Sequence, residues 1–175
     1  MMVQTRRVRL RRLIESDLAD YQRLLSFPVM AWANHAANDL SPATLAIAFE
    51  KDRHSPYAFA VIGRHSHRLI GVILYYHHRM TPAERLCALD LAYFLDPAVW
   101  GRGLMPEAIQ LSFELIRGKH DRWLWADCLL ANRRSQRVLE KVGFQAVRTV
   151  QMMNTTEPDP VAVNQYRLRL TATDE

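Results

Sequence analysis

Val8, Leu10 and Leu13 are interleaved with Arg7, Arg9, Arg11 and Arg12. This near-alternation predicts a first strand with one buried face and one basic face. The period then lengthens: Leu18, Tyr21, Leu24 and Leu25 recur at helical spacing. Ser16 is placed to cap that helix, and Phe27-Pro28 ends it. Ser41 followed by Pro42 is a second start signal, an N-cap and then a proline at the first helical position, for a helix through about Lys51. Three β-rich runs come next, over 57–62, 69–77 and 86–95, separated by the turn segments GRHSHR and RMTPAER. They read as an antiparallel meander.

Beyond residue 103 the helical period returns, with Met105, Ala108, Ile109, Phe113 and Ile116 on one face and Gly118 as the expected stop. A strand is predicted over 123–130. Asn132 then precedes RRSQRVLEKVGF, in which Val138, Leu139 and Val142 form an apolar stripe. Gly143-Phe144 reads as a helix C-cap with its hydrophobic residue just beyond. Strands over 144–152 and 161–170 flank the TTEPDP loop. This order predicts one α/β (α+β) domain over residues 1–175, with a mixed sheet of about seven strands covered by about four helices.

Length and composition agree with a globular chain. At 175 residues, 49% hydrophobic and 23% charged, it can bury a core and does not read as disordered. No apolar run approaches a bilayer span, and the basic start MMVQTRRVRLRRL lacks the apolar stretch of a secretory signal, so a cytoplasmic protein is expected. Cys87 and Cys128 fit neither a disulfide framework nor a metal-site spacing and read as reduced core residues. His65 and His67 fall in a turn without a carboxylate or cysteine at ligand spacing, and His77 and His78 alternate across a strand, so no metal site is expected. The net charge of +5 favours an anionic partner without naming it.

Residues 93–107 read YFLDPAVWGRGLMPE: strand, proline, glycine-rich turn, helix. Gly101 and Gly103 lack Cβ atoms, so backbone N–H groups can converge on an anion at the positive end of the helix starting near Leu104. The phosphate loop of nucleotide triphosphatases needs Gly-Lys-Ser/Thr here and is absent. The dinucleotide fingerprint meets Pro106 where its third glycine belongs. A phosphate carrier of another kind is indicated.

RVRLRRLIESDL, YFLDPAVWGRGLMPEA and NRRSQRVLEKVGF together resemble the GCN5-related N-acetyltransferases (GNAT), and in particular their RimJ/RimL-like branch, which includes ribosomal-protein N-terminal acetyltransferases. The resemblance implies a mostly antiparallel sheet and a cosubstrate, acetyl-coenzyme A, without a metal. The family's pyrophosphate frame falls on Trp100, Gly101, Arg102, Gly103, Leu104 and Met105. Trp100 is typical of the branch, whereas Met105 replaces a small residue and is expected to tighten the end of the loop. The resemblance also implies that the strand over 89–95 splays from its neighbour and pairs with the pantetheine arm through backbone groups of Phe94 and Leu95, one N–H polarising the thioester carbonyl. By the same resemblance Asn132 orients polar groups of cofactor or substrate, Ser135 protonates the departing thiolate, and Asp90 deprotonates the amine directly or through water. Arg102 and Arg137 are placed to reach the phosphates.

The expected activity is acetyl transfer from acetyl-coenzyme A to a primary amine by direct attack in a ternary complex. A thiol route through Cys128 has no neighbouring base in the sequence. An N-terminal α-amine of a peptide or protein is the expected acceptor. A polyamine, amino acid or aminoglycoside, and an inactive coenzyme A-binding module, stand as alternatives. Trp32, His35 and Tyr76 fall in regions that wall the acceptor cavity in the family. No membrane partner is expected, nor a nucleic acid outside a ribosomal substrate, and the chain is expected to act as a monomer or homodimer.

Overall fold

The computed structural model of the protein describes residues 2–30, 40–77, 88–118, 122–153 and 160–172. An eight-stranded sheet runs through them, comprising β1 (Met2–Gln4), β2 (Val8–Arg12), β3 (Ala58–Gly63), β4 (Leu69–His77), β5 (Ala88–Leu95), β6 (Arg122–Leu129), β7 (Gln145–Met152) and β8 (Val161–Leu170). Its spatial order is β1-β2-β3-β4-β5-β6-β8-β7. Neighbours are antiparallel except β5 and β6, which run parallel and are joined through a helical crossover. The helices bounded within the described residues are α1 (Leu18–Leu25), α2 (Pro42–His54), α3 (Leu104–Ile116) and α4 (Arg133–Val142). The mixed, mostly antiparallel sheet expected from the sequence is present, with β1 as an added short edge strand.

The pleat sends alternate residues of each strand into different cores. On β5, Leu89, Leu91 and Leu95 are buried with Ala108, Ile109 and Phe113 of α3 and Leu139 of α4. Ala92 and Phe94 pack on the other side against the core that holds Tyr21 of α1 and Phe49 of α2. The two faces of β5 therefore meet different helices, and this division organises the site.

Several local expectations need correction. Ser16 caps nothing: the Asp17 carboxylate instead accepts from the Ile14 N–H at 2.9 Å and is held by Arg11 at 2.6 and 2.8 Å. Residues Glu15–Asp17 consequently form one 3-10 turn ahead of α1. Gly118 does not stop α3, because Arg117 already has an extended backbone (φ −62°, ψ 135°). α2 continues past Lys51 to His54. Its start is as read, with the Ser41 hydroxyl accepting from the Thr44 N–H at 3.2 Å. Gly143 takes φ 105° at the end of α4, and Phe144 behind it is buried. The RMTPAER turn, His78 and Cys87 lie outside the described residues.

Candidate active site

Among the described residues β5 and β6 are in register at Ala88↔Trp123, Leu89↔Leu124 and Asp90↔Trp125. Beyond Asp90 each strand continues with its outer neighbour, β5 with β4 as far as Leu95 and β6 with β8 as far as Leu129. Their facing edges part from Leu91 onward and leave a wedge. The Asp96 N–H donates to the Ile70 carbonyl at 2.8 Å, which sets the phase of the β4–β5 ladder. By the alternation of antiparallel pairs, Phe94, Ala92 and Asp90 exchange backbone bonds with Val72, Leu74 and Tyr76. Leu91, Tyr93 and Leu95 turn their N–H and C=O groups to the open edge. Phe94 is therefore corrected: its backbone is spent on β4. Leu95 faces the wedge, but the Trp100 indole N–H donates to its carbonyl at 2.7 Å, so its N–H is the group on offer.

The glycine turn closes the wide end of the wedge. Asp96 caps the 3-10 turn Pro97–Val99 by accepting from the Ala98 N–H at 2.9 Å. Gly101 and Gly103 then take φ 76° and 71°. A Cβ at Gly101 would touch nothing within 4 Å, so the left-handed backbone alone calls for glycine there. Gly103 is the N-cap of α3 and no side chain caps that end, which leaves first-turn N–H groups for an incoming anion. Met105 does not tighten the loop: its side chain is 2% exposed and sits in the core beside Gly71. Glu107 in the first turn of α3 would compete with an anion for the helix end. Arg7 and Thr5 both bind its carboxylate, and Arg7 Nη1 also donates to the Arg102 carbonyl at 2.8 Å. The Arg102 and Arg137 side chains are exposed.

The third motif faces the loop across the wedge. Asn132 Oδ1 accepts from the Ser135 N–H at 3.2 Å and so caps α4. Arg134 lays its guanidinium 4.9 Å from the Trp100 ring centre, joining α4 to the turn. From β5, the Tyr93 hydroxyl reaches the Ser135 hydroxyl at 2.6 Å and the Ser135 carbonyl at 3.2 Å. Tyr93 was not singled out in the sequence, since a tyrosine alternating with leucines reads as core. Burial pushes its hydroxyl pKa up, against a downward pull from Ser135. Burial likewise raises the Cys128 thiol, so that side chain stays protonated near neutral pH and is no nucleophile.

Asp90 lies on the opposite face of β5, where its cross-strand neighbour is Tyr76. The Tyr76 hydroxyl donates to Asp52 Oδ1 at 3.4 Å, and Tyr21 donates to Asp52 Oδ2 at 2.8 Å. Asp52 is 5% exposed, and burial raises its carboxyl pKa in opposition to those two hydroxyls. Sequence reading passed over Asp52 because a lone aspartate near a helix C-terminus carries no pattern. Arg23 of α1 pairs with Asp96 at 2.7 Å and so ties this face to the glycine turn. Trp32 and His35 lie outside the described residues. Among the described residues no group of three or more His, Cys, Asp or Glu side chains is placed to hold a metal ion, and no helix is long and apolar enough to cross a membrane.

Solved structures share this fold. A GNAT-family acetyltransferase from Bacillus anthracis superposes with a TM-score of 0.79 at 17% identity, covering 96% of this chain and 98% of the other. Ribosomal-protein-S5-alanine acetyltransferase from Vibrio fischeri does so with 0.76 at 17% identity, covering 97% of each chain. Spermidine N-acetyltransferase from Vibrio cholerae, in complex with coenzyme A and spermine, gives 0.76 at 15% identity over 93% and 95%. At such identities the likeness establishes the fold. No curated relative matches the sequence. The family model described as an acetyltransferase (GNAT) domain matches residues 7–145, which span the basic first strand, the wedge, the glycine turn and the Asn132 helix. The chain belongs to that family and is an acetyl-coenzyme A-dependent N-acetyltransferase.

Proposed function

We propose that the protein acetylates the α-amino group of a peptide or protein N-terminus, in the cytoplasm, by direct attack of the amine on the thioester within the β5–β6 wedge. The observation that carries this reading is the release of the β5 edge after Asp90, immediately beside the uncapped glycine turn. The residues suit the cosubstrate. Backbone N–H groups around Gly101, Gly103, Leu104 and Met105 cradle the pyrophosphate, with Trp100 and Arg102 shaping the turn. The edge groups of Leu91, Tyr93 and Leu95 pair with the pantetheine arm. Bound there, acetyl-coenzyme A supplies an activated acyl carbon.

The chain's own groups do the rest. A wedge-facing N–H of β5 stabilises the negative charge that develops on the carbonyl oxygen. Asn132 holds the first turn of α4 so that Ser135 faces the wedge. Either hydroxyl of the Tyr93–Ser135 pair can donate, and in the arrangement where Tyr93 is the donor the serine hydrogen is left for the departing sulfur. Asp90, on the opposite face of β5, orients the incoming amine.

Two arguments support an α-amine acceptor. The sequence resembles the RimJ/RimL-like branch, and the Vibrio fischeri protein of the same fold is named for an alanine on a ribosomal protein. An α-amine with a pKa near 8, against about 10.4 for lysine, also costs about 3 kcal/mol less to deprotonate at neutral pH. The spermine-bound Vibrio cholerae structure favours the second reading, a polyamine acceptor. Mass spectrometry of acetylated test peptides, with free and blocked N-termini and internal lysines, together with a polyamine arm, decides between them. Acetyl on the free N-terminus is expected; acetylation confined to lysines or polyamines overturns the α-amine reading.

A further inference from the structure

On the α1/α2 face of the sheet, Asp52 is a buried carboxylate with two unequal hydroxyl partners. Tyr21 is 2% exposed, stacks edge-on against Phe49 with ring centres 5.2 Å apart, and donates to Oδ2 at 2.8 Å. That bond fixes the carboxylate plane. The other oxygen, Oδ1, meets the Tyr76 hydroxyl at the longer distance of 3.4 Å, and Tyr76 is 38% exposed. Tyr76 also occupies a telling place in the sheet. It is the β4 partner of Asp90, the last β5 residue in register with β6. Cross-strand partners project on one face with Cβ atoms about 5 Å apart. Tyr76 and Asp90 thus stand together at the closed end of the wedge, on the face away from the Tyr93–Ser135 pair.

We propose that Tyr76, held by Asp52, carries away the proton that the acceptor nitrogen must lose, and that an acceptor amine therefore enters from the α1/α2 face. This rests on the transferase reading of the wedge. As the C–N bond forms and the C–S bond breaks, the acceptor nitrogen gives a proton to Tyr76 Oη. The hydroxyl proton of Tyr76 passes to Asp52 Oδ1, and the departing sulfur takes its proton on the Ser135 side. After product leaves, Asp52 returns its proton through Tyr76 to water, and water restores to Ser135 the proton it gave to sulfur. Tyr76 is the catalytic residue of the pair and Asp52 the positioning residue that makes its oxygen a proton acceptor. A carboxyl with a raised pKa suits this task, because a stronger base holds the incoming proton better. The charged and titratable groups around Asp52 are Tyr21 from α1, Tyr76 from β4, Lys51 on its own helix, Arg12 of β2 at the Arg53 carbonyl, and Asp90 across from Tyr76.

The test uses the full chain, acetyl-coenzyme A and the amine that the wild type turns over best. Tyr76→Phe and Asp52→Asn are each expected to lower kcat about 10-fold or more with the acetyl-coenzyme A Kd unchanged. The double variant should be no slower than the slower single, because the two act in one relay. The acidic limb of the kcat/KM profile should shift in Asp52→Asn. Unchanged kcat in Tyr76→Phe, or losses that multiply in the double variant, overturns the proposal. If Asp52→Asn does not fold, the half-exposed Tyr76→Phe decides alone, by its kcat at constant Kd. A wild type that binds acetyl-coenzyme A but turns over no amine overturns the transferase reading and this relay with it, whereas wild-type turnover with an indifferent Tyr76→Phe overturns the relay only.

Discussion

Tyr93 and Asp90 sit three residues apart on β5 yet face different chemistry. Towards α3 and α4, the groups beside Tyr93 are the Ser135 hydroxyl and a buried Cys128 thiol that burial keeps protonated. Towards α1 and α2 the polar groups include two carboxylates, Asp90 and the buried Asp52. A transfer that must take a proton from nitrogen and give one to sulfur needs an acceptor and a donor kept from neutralising each other. A strand with unlike faces provides that separation, since the pleat sends neighbouring side chains to opposite sides without any extra element. On the reading proposed above, one face donates and the other accepts.

The largest effect expected on the donor side comes from the cosubstrate cradle. Gly103→Val puts a β-branched side chain at φ 71°, a conformation costing about 1–3 kcal/mol, and blocks the approach of the phosphates. Acetyl-coenzyme A affinity should fall about 10- to 100-fold by calorimetry. Full affinity would remove the glycine turn from the site and with it one half of the comparison. A smaller effect is expected from the hydroxyls. Ser135→Ala and Tyr93→Phe should each lower kcat about 10-fold at unchanged acetyl-coenzyme A Kd, in an assay where chemistry limits the rate. If the loss appears in Kd instead, the pair shapes the pocket rather than donating a proton.

The smallest effect concerns stability and has the opposite sign. The folded protein raises the Asp52 pKa, so the stabilisation tied to its proton is present below the ordinary carboxylate range, near 3.9, and is lost as pH climbs through the raised value. Asp52→Asn removes that loss. The variant should melt higher than wild type at pH 7, and the gap should close on acidification in melts run across pH. A lower melting temperature at pH 7 would mean that Asp52 is kept for the fold, which blunts the contrast between the faces.

Much of the donor side was legible because its signals are local. Gly101 and Gly103, Asn132 with Ser135, and Gly143 with Phe144 each act within a few residues, so sequence order carries their geometry. Contacts between distant segments left no such trace. Arg7 with Glu107 and Tyr93 with Ser135 depend on how the strands assemble. The phase of the β4–β5 ladder is of the same kind: Phe94 and Leu95 look equivalent in sequence, and only the Asp96–Ile70 bond shows which of them faces the wedge. Ser16 misled for a related reason, since Arg11 fixes Asp17 in the turn where a serine cap was expected. The α1/α2 face was hardest to read because Asp52 and Tyr76 come from different elements and meet only in the folded sheet.

The strand order has a consequence for synthesis. β8, the last strand in the chain, lies between β6 and β7 and pairs with β6 along eight positions, against three for β5. β1 through β5 are complete, and antiparallel to their neighbours, while β6 still lacks its principal neighbour. The nascent chain should therefore gain its ability to retain acetyl-coenzyme A only once β8 has been made and has paired with β6. A chain terminated before Val161 would then be compact enough to persist in the cell and yet unable to hold the wedge open, a failure visible as protein without ligand-induced stabilisation.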